Sequence, residues 1–121
     1  MLQVIKMDKI LEDTYLFDFY GELLTEHQRS IYRDIVLEDL SLGEAADEYN
    51  VSRQAIYDIV KRCRKTLLGY EDKLHLINRF LKIRELTGEI IQISEKLEES
   101  GSEDSEIGKI RELATLITEE L

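Results

Sequence analysis

The sequence predicts an all-α protein: a helix-turn-helix core of about four helices followed by a C-terminal helical hairpin. Three observations point there. The 121 residues include no proline and only 6 glycines, so few positions break a helix. Apolar residues recur at spacings of three and four through most of the chain. Two stretches, Thr25 with Gln28 and Ser41 with Glu44, have the form of capping boxes, in which a hydroxyl and a longer side chain satisfy each other's backbone N–H groups at a helix start.

The first helix is expected over roughly Met7 to Leu24, where Leu16, Phe19, Tyr20 and Leu23 fall at helical spacing better than at strand spacing. The aromatic side chains Tyr15, Phe17, Phe19 and Tyr20 read as core rather than as a partner-binding face. A second helix starts after Thr25 and should finish near Asp39, with Ile31, Tyr32, Ile35 and Val36 inward and Arg29, Arg33 and Asp34 outward. Ser41 begins a short third helix, Leu42 to Tyr49, whose inner face is Leu42, Ala45, Ala46 and Tyr49.

Asn50 follows as the turn residue, because asparagine tolerates the left-handed backbone conformation. Val51 is expected to plug the corner and Ser52 to cap a fourth helix running from Arg53 to about Leu68. Ile56, Ile59, Val60 and Cys63 face inward; Arg53, Gln54, Tyr57, Asp58, Lys61 and Arg64 face out. Beyond it, Ile83, Leu86, Ile90, Ile93 and Leu97 alternate at three and four residues like a coiled-coil seam, with Leu76 extending it backward past Arg79. The polar stretch 98–105 is the clearest break, and Ile107, Ile110, Leu113, Ala114, Ile117 and Leu121 describe a last amphipathic helix. Residues 72–97 then pack against 106–121 or against a partner.

Ala46, Asn50, Val51, Ile56 and Ile59 together supply the small contact residue, turn residue, corner residue and anchors that a helix-turn-helix needs. The second helix of such a motif offers its N-terminal residues to base edges in the major groove and its later basic residues to phosphates. The expected nucleic-acid contacts are therefore Ser52, Arg53, Gln54, Tyr57 and Lys61 near the start, and Arg62, Arg64 and Lys65 further along. Arg53 suits guanine and Gln54 adenine. Asp58 on the same face would repel phosphate unless it accepts a hydrogen bond from cytosine.

Charge distribution supports a local rather than a global interface. The chain carries 16 basic and 26 acidic side chains, a net charge of −10, which repels nucleic acid at long range. Residues 52–68 reverse this with 5 basic and 1 acidic side chain, between an acidic 1–51 (4 and 12) and an acidic 69–121 (7 and 13).

Other chemistries find no foothold in the sequence. Cys63 is the sole cysteine and cannot form an internal disulfide, which suits a reducing compartment. Two scattered histidines, His27 and His75, make no zinc-ligand cluster and read as surface or capping residues. No phosphate loop, nucleotide fingerprint, Ser-His-Asp signature or HExxH pair is present, so no catalytic residue, metal or cofactor is expected. No signal-peptide pattern and no bilayer-length apolar run stand in the sequence, so the expectation is a cytoplasmic protein without membrane insertion.

Residues 25–66, from LTEHQ through SLGEAADEYNVSRQAIYDIVKR, resemble the region 4 helix-turn-helix of bacterial sigma factors. YLFDFY at 15–20, LLTEHQ at 23–28, DLSLGEAADEYNVSRQAIYD at 39–58 and YEDKLHL at 70–76 bring the chain closer still to the YlxM family. These are small bacterial helix-turn-helix proteins usually encoded beside the signal-recognition-particle GTPase. The sequence departs from that pattern at His27, Ala45 and Cys63, where a basic residue, isoleucine and threonine are expected. The resemblance covers about the first 80 residues and implies a regulatory or accessory role in the signal recognition particle pathway.

The resulting expectation is a helix-turn-helix domain over 1–70 and a C-terminal helical extension over 71–121 that serves as an oligomerisation element. The protein is expected to be a DNA-binding regulator and not an enzyme. It is expected to act as a homodimer built by the tail and the first helix. The alternative is a protein- or RNA-interaction accessory of the signal recognition particle GTPase that does not read DNA sequence.

Overall fold

A computed structural model describes residues 9–101 and 105–121, and among them every regular element is helical. Met7 and Asp8, expected to open the first helix, lie outside the described residues. The chain divides after Ile77 into two compact units.

The first unit opens with α1, Lys9–Tyr20, which closes in a short 3₁₀ turn over Gly21–Leu23 instead of continuing as α-helix. Leu16 and Tyr20 are buried, and Phe17 stacks on Tyr32 with the rings 6.0 Å apart while the Arg29 guanidinium lies over its face. The second helix, α2 (Glu26–Tyr32), starts at the predicted capping box: Gln28 N–H donates to Thr25 Oγ1 and Thr25 N–H donates to Gln28 Oε1, both at 3.2 Å. Its predicted continuation toward Asp39 is a wide π turn over Arg33–Leu37, after which Asp39 takes φ 57° and reverses the chain.

The third and fourth helices, α3 (Leu42–Tyr49) and α4 (Arg53–Leu74), cross at the bend between them. Ala45, Ala46, Ile31 and Ile56 form the buried centre of this unit, with Ile35, Leu40, Tyr49, Ile59 and Val60 packed around it. Ala46, the small contact residue of the motif, leaves room for α4 to approach α3 closely. Leu42 and Val51 sit otherwise than expected: each is 37% exposed, so Val51 does not plug the corner.

α4 runs past the predicted stop at Leu68. Leu67 and Glu71, one turn apart and fully buried, hold it in helix through Gly69, because tertiary packing outweighs the roughly 1 kcal/mol propensity cost of one interior glycine. It stops where His75 takes φ 56° and donates its N–H to the Glu71 carbonyl at 2.9 Å. The buried Glu71 carboxylate accepts hydrogen bonds from the Tyr20 hydroxyl at 2.5 Å and from the Ile77 N–H at 3.0 Å. Leu76 N–H in turn donates to the Tyr20 oxygen at 3.3 Å. A charge buried without such donors would be prohibitive, so this cluster ties the end of α1 to the end of α4 and satisfies the free N–H groups that follow.

The second unit is built by α5 (Leu76–Glu99), from Asn78 onward, and α6 (Ser105–Glu120). The two helices run antiparallel: Thr118 donates to Thr87 at 2.9 Å, and further along α5 Glu98 pairs with Arg111. Thr87, Ser94 and Ala114 are buried along the hairpin, with Ile91 and Ile107 half-buried and Leu81 buried nearer the start of α5. The predicted seam does not face α6. Ile83, Leu86, Ile90, Ile93 and Leu97 all remain exposed, as do Ile110, Leu113, Ile117 and Leu121.

Candidate nucleic-acid interface

Asn50 adopts the left-handed conformation that the turn requires, with φ 56° and ψ 47°. Few side chains other than glycine accept it cheaply, and asparagine is one of them. Its N–H and that of Val51 both return to the Ala46 carbonyl, closing α3, and Ser52 then opens α4 by accepting the Ala55 N–H at 3.0 Å. The bend and the cap set the first turn of α4 facing solvent.

On α4 each residue advances about 100° around the axis. Gln54, Lys61 and Lys65 consequently share the stripe opposite the buried Ile56, Cys63 and Leu67, with Arg53 and Tyr57 flanking on one side and Arg62 on the other. Arg53, Gln54, Tyr57, Lys61, Arg62 and Lys65 are all exposed, and Tyr57 presents about half of its surface to solvent. Seven of the eight expected contacts, Ser52 included, therefore lie together on one outward face.

Arg64 is the exception. It lies on the same side of α4 as Arg53 and Tyr57 but further along, where α1 packs against α4, so it meets α1 instead of solvent. Its Nε donates to Asp13 Oδ1 at 2.8 Å and its Nη2 to Glu12 Oε1 at 3.0 Å. Burial alone would lower the Arg64 pKa, but the Asp13 hydrogen bond and the charges of Asp13 and Glu12 more than reverse this and raise it. Asp13 is itself almost completely buried, a role invisible in a run of acidic residues on an amphipathic helix.

Two further relationships shape the face. Gln54 Nε2 donates to Asp58 Oδ1 at 3.0 Å, so the acid one turn along orients the amide at the tip of α4. A Cβ added at Gly43, in the first turn of α3, would stand 3.0 Å from an Arg53 guanidinium nitrogen, so the missing side chain makes room for Arg53 to lie across α3. Gly43 was not legible as a site residue, since only its distance from Arg53 gives it meaning.

An open groove of about 630 Å³ runs beside this face, from Tyr57 to Asp72, with Val60 and Leu68 on its apolar side and Lys9, Lys61 and Lys65 around it. On α3, by contrast, Glu44, Asp47 and Glu48 are exposed, so the basic face is bordered by acid. Cys63 is buried on the inner side of α4, and burial pushes its thiol pKa up against the partial offset of Arg62, which leaves no activated thiolate. His27 packs edge-on against Tyr49, and His75 ends α4. Among the described residues no group of His, Cys, Asp and Glu side chains could hold a metal ion, and no helix is long and apolar enough to cross a membrane.

Residues 7–107 match the family UPF0122, described as "Putative helix-turn-helix protein, YlxM / p13 like". The chain belongs to this family. A UPF0122 protein of Shouchella clausii is 52% identical over 84 residues, 69% of this chain and 77% of its own length. A second, of Halalkalibacterium halodurans, is 42% identical over 110 residues, covering 91% of this chain and 98% of the relative. A third, of Bacillus thuringiensis, is 43% identical over 101 residues, 84% and 92% of the respective chains. The UPF0122 match runs through the helix-turn-helix and across α5, beyond the 80 or so residues that carry the resemblance in the sequence.

Proposed function

We propose that this UPF0122 protein is a cytoplasmic DNA-binding regulator without enzymatic activity, acting as a homodimer in the signal recognition particle pathway. The observation that carries the reading is the basic, exposed first half of α4, presented by a left-handed Asn50 and a Ser52 cap. In this reading Arg53, Gln54 and Tyr57 meet base edges, with Lys61 at their border, and Arg62 and Lys65 meet phosphates. Ser52 both caps α4 and donates to the backbone of the duplex. Arg64 acts through α1 by fixing the face in place. The residues from 71 onward serve oligomerisation, and the domain from 1 to 70 serves recognition. The test is a selection from random duplexes followed by anisotropy titration at several salt concentrations. Enrichment of a two-fold-related motif with a steep salt slope supports the reading, and recovery of no motif rejects it.

The acidic border formed by Glu44, Asp47 and Glu48, with the net charge of −10, favours a second reading. In it the helix-turn-helix docks a basic protein or ribonucleoprotein partner, the signal recognition particle GTPase or its RNA-bound form, without reading DNA sequence. Sedimentation of the chain with purified particle separates the two, since only this reading predicts co-migration in the absence of DNA.

A further inference from the structure

The second unit carries two apolar stripes per helix, and α5 and α6 use only one of them on each other. The stripe they share centres on the buried Thr87, Ser94 and Ala114, with Ile91 and Ile107 half-buried at the same helical spacing, whereas most of the larger aliphatic residues stand one position earlier: Leu86 before Thr87, Ile93 before Ser94, Leu113 before Ala114 and Ile117 before Thr118. One residue is about 100° of rotation on a helix, so each helix has a buried stripe and an exposed one at nearly a right angle. The helices are antiparallel and the offset has the same sense on both, so the two exposed stripes open on the same side of the hairpin. The result is a flat two-helix apolar face.

We infer that this face is covered by the same face of a second copy, giving an antiparallel four-helix bundle in which every helix has two neighbours. This deepens the homodimer of the functional proposal and rests on it, while assigning the interface to the hairpin and leaving α1 out. Three considerations select a second copy. The large aliphatic residues of the two exposed stripes are 39–60% exposed, and together they expose on the order of 800 Å² of surface, the area each partner gives to a standard stable interface. Their alternation at three and four residues fits helices with the same periodicity, and a two-fold axis makes one such face complementary to itself. Residues 78–121 carry 6 basic and 11 acidic side chains, which disfavours burial of the face in an anionic bilayer surface.

The experiment is the solution mass of the full chain at micromolar concentration, for wild type, for Ile90→Glu with Leu113→Glu, and for Ile10→Glu on the exposed side of α1. The expected results are twice the 14.2 kDa chain mass for wild type and Ile10→Glu, and association weakened by on the order of 100-fold or more, giving monomer, for the double variant. A benzophenone photo-crosslinker in place of Ile93 should give a dimer-sized band, and one in place of Gln92 should not, which keeps the test valid if the charged variant loses its helices. A monomeric wild type, or crosslinking from 92 and not from 93, overturns the inference. A dimer broken only by Ile10→Glu overturns the interface while leaving the homodimer standing, and retention of wild type on anionic vesicles without dimer crosslinks assigns the face to lipid and overturns it too. DNA recognition is read separately by duplex titration.

Discussion

Arg64 Nε donates to Asp13 Oδ1 at 2.8 Å across the contact between α4 and α1, converting an expected phosphate ligand into a strut. With the guanidinium 29% exposed and its partner carboxylate nearly buried, breaking the pair leaves Asp13 in a poor solvent with no counter-charge. Arg64→Ala should therefore cost about 1–3 kcal/mol in urea denaturation, below the range for a fully buried pair because of partial solvent screening. Under conditions where the variant is folded, the salt slope of DNA binding should be unchanged. A slope reduced by about one, with stability intact, would return Arg64 to the phosphate-contacting set.

The Tyr20 hydroxyl donates to the buried Glu71 carboxylate, and burial followed by that hydrogen bond pushes the phenol up to about 12 from its ordinary 10. The neutral phenol is the form the fold favours. Its contribution to stability is fully present below about pH 10 and lost as pH rises toward 12. Tyr20→Phe should lower stability at pH 7 by about 1–3 kcal/mol, because Glu71 loses a donor, and should flatten the alkaline limb of the stability profile. An unaltered alkaline limb would show that other tyrosines dominate it.

Tyr32 lies in the same unit with a different balance. Its ring stacks on Phe17, but its buried hydroxyl has no hydrogen-bond partner among the described residues, and burial raises its pKa strongly. Tyr32→Phe retains the ring and removes the unsatisfied oxygen, so thermal denaturation should show unchanged stability or a gain of up to about 1 kcal/mol. A clear loss would reveal a partner for that oxygen.

Much of this was legible in local patterns, and the misses share one cause. Thr25, Ser41, Asn50 and Ser52 act on backbone groups within four residues of themselves, so their roles follow from spacing alone. Asp13, Gly43, Arg64 and Glu71 matter through residues far along the chain, and no periodicity exposes such pairs. The hairpin shows the same limit. Its seam residues were found from their alternation, but which stripe meets α6 depends on the side chains of the other helix. The small residues Thr87, Ser94 and Ala114 allow the closer approach, leaving most of the large ones outside.

The turn at Asn50 can be tested independently of any ligand. Asn50→Gly should change stability by no more than a few tenths of a kcal/mol, because glycine accepts a φ of 56° freely. Asn50→Ala should cost about 1–2 kcal/mol, since a Cβ in the left-handed region meets the following carbonyl. Equal effects of the two substitutions would mean that the asparagine amide, and not its backbone, is what the bend uses.

The most direct test of DNA recognition by α4 is the salt dependence of duplex binding for wild type and for Arg53→Ala combined with Lys61→Ala, at matched stability. Arg53 and Lys61 are exposed side chains, so removing them should leave the fold intact while weakening affinity by more than tenfold and reducing the slope of log affinity against log salt by about one to two. Affinity and slope indistinguishable from wild type would contradict the assignment of this helix to DNA.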